Sequence, residues 1–144
     1  MDAGAVGVDG QRSLLHHRFE LQARRRAGEV ALYCGAEQIT YGALDARANR
    51  LAHHLQRLGV GPESLAALYL DRGVNMVAAI LGVLKAGGAY VPIDLAYPAD
   101  RIQFMLRDAN PVVVVTEQKV RSGLPQGQAT VVDLDQDAAF LAGE

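Results

Sequence analysis

Leu84–Arg101 reads LKAGGAYVPIDLAYPADR, and the order of its residue types decides the fold class. Lys85 and Ala86 complete an apolar helix, and Gly87-Gly88 supplies the left-handed residue that commonly ends one. Ala89–Ile93 is a short apolar run suited to a buried strand, with Pro92 near its end, where a missing N–H is tolerable. Asp94 follows the strand. Pro98 then stands where a new helix takes its first residue, with φ already suitable. Helix stop, buried strand, acidic strand end and helix start together make half of a βαβ layer.

Working outward, Leu65–Leu70 reads as a buried strand and Asn75–Ala86 as the apolar helix leading into that stretch. Tyr41–Leu58 is the clearest helix. Tyr41, Leu44, Ala48, Leu51, Ala52, Leu55 and Leu58 recur at spacings of three and four and form one apolar face. Thr40 is its N-cap, and Gly59-Val60-Gly61-Pro62 stops it. Before it, Val30–Cys34 and Gln38–Thr40 predict a hairpin around Gly35-Ala36-Glu37. A short helix is expected from Ser13, as N-cap, to about Ala27. Met1–Gln11 shows no sustained period. Residues 1–12 are therefore expected to be a disordered leader, and 13–144 one domain.

Downstream, Ile102, Met105, Leu106 and Ala109 share a helix face, and Asn110-Pro111 ends that helix. Val112–Val115 is a strand of β-branched residues, and Ala129–Val132 follows a loop around Gly123–Gly127. Strands alternating with helices predict an α/β domain. Its sheet is a partial doubly wound, mostly parallel one with helices on both faces, plus an N-terminal β-hairpin.

The chain has 144 residues, half of them apolar and about a fifth charged, as in a folded globular protein. A net charge of −2 and pI near 6.1 give no general attraction to nucleic acid or anionic membrane, so neither is expected as a partner. Arg24-Arg25-Arg26, at a helix C-terminal end, reads as a solvated, dipole-favoured cluster. Cys34 is the only cysteine, which points to a reducing cytoplasm. No basic n-region precedes a long apolar stretch, so no secretory signal or transmembrane span is expected. Twelve of the fourteen basic residues are Arg, a composition expected of a GC-rich bacterial genome.

Ile39-Thr40-Tyr41-Gly42-Ala43-Leu44, continuing through Ala48-Asn49-Arg50-Leu51-Ala52, resembles the first core motif of nonribosomal peptide synthetase adenylation domains. The stretch from Leu84 resembles their second core motif, LKAGxAYVPID with its YPxxR extension. Gly59–Glu63 and Leu70-Asp71-Arg72 resemble the connecting sequence. The likeness covers roughly Leu14 to Thr116 in order and spacing. It departs from the pattern at Ala43, where the family usually has Glu, and at Leu95, where it usually has Pro.

The resemblance implies the front portion of the large N-terminal subdomain of an adenylate-forming (AMP-binding) enzyme, related to the acyl- and aryl-CoA synthetases. Such domains activate an amino acid with ATP as an aminoacyl-adenylate and load it on a carrier-protein thiol. ATP and magnesium are therefore expected for the complete domain. That chemistry needs a phosphate cradle of glycines and hydroxyls, a ribose-holding carboxylate, a magnesium ligand and a mobile Lys. In the family these lie downstream of the two motifs. Gly123–Gly127 reads GLPQG, without hydroxyls or Lys, and no GxGxxG occurs. The resemblance therefore carries over no catalytic, cofactor-binding or metal-binding residue. The chain alone is expected to bind no cofactor and to be inactive. Its expected partners are the missing remainder of the adenylation domain and a carrier protein.

The individual residues agree. Lys85 falls in the last turn of a helix, where its charge complements the dipole, and Lys119 in a polar, exposed stretch. His16-His17 and His53-His54 are adjacent pairs, which point apart on a helix and chelate poorly. Cys34 has no activating partner and reads as a packed hairpin residue. Asp71, at a strand's C-terminal end, suggests a phospho-acceptor, but the acidic pair and late lysine of such sites are not apparent. Arg101, in the first turn of a helix, is expected to pair with Asp94. Three functional readings follow: an N-terminal piece of an amino-acid-activating ligase, a non-enzymatic module complementing a separately encoded adenylation subdomain, or a free-standing flavodoxin-like binding domain.

Overall fold

The structure, a computed structural model, describes residues 4–127 and 129–135, with side chains from residue 15 onward. The elements in order are α1 (Gly4–Arg25), β1 (Val30–Cys34), β2 (Glu37–Thr40), α2 (Tyr41–Arg57), β3 (Leu65–Tyr69) and α3 (Val74–Ala86). They continue with β4 (Ala89–Pro92), α4 (Ala99–Ala109), β5 (Val113–Thr116), α5 (Gln118–Arg121) and β6 (Thr130–Asp133). β1 and β2 form an antiparallel hairpin. The other strands form a wholly parallel sheet in the order β4-β3-β5-β6.

Element ends follow the local chemistry. Thr40 caps α2, its Oγ1 accepting the Ala43 N–H at 3.2 Å. Gly87 ends α3 with φ 95°, and the N–H groups of Gly87 and Gly88 return to the carbonyls of Leu84 and Val83. Asn110 ends α4 in the left-handed region at φ 50°, and Pro111 forbids continuation. Pro98 is the N-cap of α4 rather than its first helical residue, since its ψ of 156° is extended.

Two expectations are corrected. The first helix starts at Gly4, not at Ser13; residues 1–3 lie outside the described residues. No proline interrupts the segment, and an established helix extends at one hydrogen bond per residue. Gly7 and Gly10 only weaken it, by about 1 kcal/mol each relative to Ala. The short helix α5 after β5 has no counterpart in the expected elements.

Near-continuous apolar strands need cover on both faces, and the parity of each strand shows which residue serves which face. Ala66, Leu68 and Leu70, with Val113, Val115 and Val132, pack under Leu51, Leu55, Ala79 and Val83 of α2 and α3. Ala67, Tyr69 and Val114 face the other way, toward Ile102 of α4. Ile39, Leu44, Ala48, Val74, Ala78 and Leu81 make a further cluster between the hairpin, α2 and α3, with Phe19 of α1 against it. A Cβ at Gly82 would lie 3.0 Å from Leu51 Cδ2, so glycine there lets α2 and α3 approach closely. Among the described residues no helix is long and apolar enough to cross a membrane.

Candidate functional site

In an open parallel sheet, ligands collect beyond the C-terminal ends of the strands, where successive connections part company. Here β3 leads through α3 to β4 on one side, whereas β5 leads to β6 on the other, so that point lies between β3 and β5. The strand ends bring together Asp71, Arg72 and Glu117, with Asn75 from the first turn of α3.

Glu117 organises the crevice. It is 6% exposed, and its carboxylate accepts the Asp71 N–H at 3.0 Å and the Asn75 side-chain amide at 3.1 Å. Asn75 Oδ1 in turn accepts from Arg47 of α2 at 3.4 Å. Thr116 donates its hydroxyl to the Tyr69 carbonyl at 2.7 Å and closes the gap between the strand ends. The position beside a helix N-terminus that favours an anion is thus taken by the protein's own carboxylate.

Glu117 and Asp71 present carboxylates at this crevice, with Arg72 and Lys119 beside Asp71. A Cβ at Gly123 would collide with the Tyr69 hydroxyl, whereas one at Gly127 would meet open space. Among the described residues, no group of three or more His, Cys, Asp or Glu side chains is placed to hold a magnesium ion.

The candidate residues fall as follows. Asp71 accepts the Arg72 N–H at 2.8 Å, and Lys119 Nζ lies 3.4 Å from its other oxygen. The Arg72 N–H first, and Lys119 second, hold its carboxyl below the usual carboxylate range. Lys119 therefore does have a partner, although both side chains are more than half exposed and such pairs add little. Asp94 and Arg101 do not pair. Asp94 Oδ1 accepts the Ala96 N–H at 2.9 Å within its own turn, and the Arg101 guanidinium lies 4.5 Å from the Tyr97 ring centroid. A local turn bond satisfies the acid, and a cation–π contact places the cation.

Lys85 lies in the last turn of α3, and its partners are two carboxylates. Nζ lies 2.9 Å from Asp45 of α2 and donates to Glu20 of α1. The rings of His16 and His17 tilt against each other, with centroids 4.5 Å apart. Cys34 is free and partly buried in the hairpin. Arg24 and Arg25 end α1, and Arg26 lies 3.9 Å from Glu29. Sequence reasoning missed Glu117 and the neighbouring bonds of Asp133 and Asp135, which serve Arg121 and the first amide of α5. The one available signal was an acidic residue directly after a buried strand.

The α4 side of the sheet is less completely covered. Phe104 is 62% exposed, and a cleft of about 580 Å³ opens between α4, β5, β6 and the loop 124–127. Leu106, Val112, Val114, Leu124 and Val131 contribute its apolar lining.

The chain is 46% identical over 139 residues to a linear gramicidin synthase of Brevibacillus parabrevis, matching 96% of this chain and 3% of that protein. It is 43% identical over 120 residues to malpinin synthetase of Mortierella alpina, matching 83% of this chain and 2% of that one. Crystal structures of the nonribosomal peptide synthetase FmoA3 superpose with a TM-score of 0.82, and 0.81 for the AMPPNP-bound form. Both are 35% identical and cover 85% of this chain but 13% of theirs. The chain thus spans only a small fraction of the length of each protein it matches. Residues 19–142 match the AMP-binding enzyme family, and with this fold, motif order and set of relatives the chain belongs to that family.

Proposed function

We propose that this chain is the N-terminal part of an adenylation domain of a nonribosomal peptide synthetase, whose completed form activates an amino acid with ATP and magnesium and passes it to a carrier-protein thiol. The observation that carries this reading is the family match over residues 19–142, with the LKAGGAYVPID motif forming the end of α3 and all of β4. The AMPPNP-bound state of the structural relative FmoA3 supports ATP as the nucleotide. Glu117 filling the β3–β5 crevice supports a phosphate site built by the remainder of the domain. The free Cys34 suits a reducing cytoplasm. Family membership does not choose a bacterial source, since one relative comes from Mortierella alpina.

Amino-acid-dependent ATP–pyrophosphate exchange tests the reading. The purified chain is expected to give none. Joined in one polypeptide to the downstream remainder of the matching adenylation domain of the Brevibacillus parabrevis linear gramicidin synthase, it is expected to give clear exchange. Exchange by the chain alone, or silence from the well-folded fusion, would overturn the proposal.

The cleft beside α4 favours a second reading, in which the chain complements a remainder supplied as a separate polypeptide. Exchange that appears on mixing the two purified pieces would select it. A free-standing flavodoxin-like binding domain has no observation of its own, and the filled crevice counts against it.

A further inference from the structure

Lys85 lies in the last turn of α3 with its side chain 5% exposed. An ammonium this deep keeps its charge only beside carboxylates. Asp45 of α2 is one, at 2.9 Å, and Glu20 of α1 is the other. The two acids belong to helices held in very different ways. α2 is joined to α3 by broad apolar packing, with Leu51 against Gly82 and Leu44 beside Ala78 and Leu81.

α1 has little of this. Among its described side chains Ala23 is the buried apolar one, Phe19 is partly packed, and Leu15 and Leu21 are 56% and 38% exposed. Beyond α1 the chain is pinned again. The Tyr41 N–H donates to the Glu29 carbonyl, and the Gly42 N–H to the Ala27 carbonyl.

We infer that α1 is a releasable strap, fastened to the body by the Glu20–Lys85 ion pair and hinged where its C-terminal end meets the anchored Ala27. While fastened it shelters the apolar cluster of Ile39, Leu44, Val74 and Leu81, against which Phe19 packs. Opening the Glu20 contact frees the strap and leaves Lys85 paired with Asp45, so α2, α3 and the sheet keep their packing. Strap and body therefore open as separate units. Asp45 serves the body and Glu20 serves the strap.

Hydrogen exchange of the full 144-residue chain, resolved by segment, separates the two roles. In Glu20→Gln, amides of residues 15–25 are expected to exchange about tenfold faster, with α2, α3 and β3 unchanged. Asp45→Asn is expected to accelerate α2 and α3 together and lower the urea midpoint of the whole chain. Lys85→Met keeps the volume while removing the charge; because it breaks both contacts, it is expected to loosen residues 15–25 and α2 and α3 as well. Unchanged protection of α1 in both Glu20→Gln and Lys85→Met would overturn the strap. Equal acceleration of α1, α2 and α3 in Glu20→Gln would overturn it as well.

Discussion

Glu117 draws its two donors from different elements, the Asp71 backbone at the end of β3 and the Asn75 amide in α3. Removing the carboxylate leaves both without their partner in a part-buried crevice. Glu117→Ala is therefore expected to destabilise the chain by about 2 kcal/mol, the usual cost of leaving buried donors unpaired. A urea midpoint that falls at constant m value is the expected reading. A change under about 0.5 kcal/mol would mean that water replaces the carboxylate. The Lys119–Asp71 pair lies close by in the open, and its contribution is screened by solvent and salt.

At the level of elements, the start of α2 and the ends of α3 and α4 were legible because their causes are local. Thr40 before an apolar face, Gly87 after one and Asn110-Pro111 each act within a turn of their own position. One of these signals is incomplete. Ala43 is exposed in the first turn of α2, which contains no acid, whereas the related motif usually carries Glu there. Ala43→Glu completes a capping box with Thr40 and adds a negative charge at the helix N-terminus. It is expected to stabilise the chain by about 1 kcal/mol, read as a higher urea midpoint. The polar connections were not legible, because their partners are distant in sequence. Glu117 reaches Asn75 across 42 positions and Lys85 reaches Glu20 across 65. The expected Asp94–Arg101 pair failed for the opposite reason: each residue had a nearer partner, in the Ala96 N–H and the Tyr97 ring.

Across the whole molecule, the grip of α1 depends on pH in a defined direction. The Lys85 hydrogen bond holds the Glu20 carboxyl below the usual glutamate range, although burial acts the other way. A depressed carboxyl stabilises the folded form fully above its unfolded value of about 4.3, and that share is lost as pH falls through the lower folded value. Exchange protection of residues 15–25 is expected to decline over that acid window, and Glu20→Gln to remove that pH dependence. Placed at 30% exposure, Glu20 makes the effect modest. The sheet has a sidedness of another kind. Ala89 and Ile93 donate inward to the carbonyls of Ser64 and Leu68, so alternation turns position 92 of β4 outward, where proline has no N–H. In β6, Leu134 donates to Thr116, which by the same alternation turns the N–H groups of Val131 and Asp133 away from β5. One lateral border of the ladder is blunted, and among the described residues no strand pairs beyond the other. The outward N–H groups of β6 give that border a chemistry its opposite lacks: that of a strand edge able to receive another.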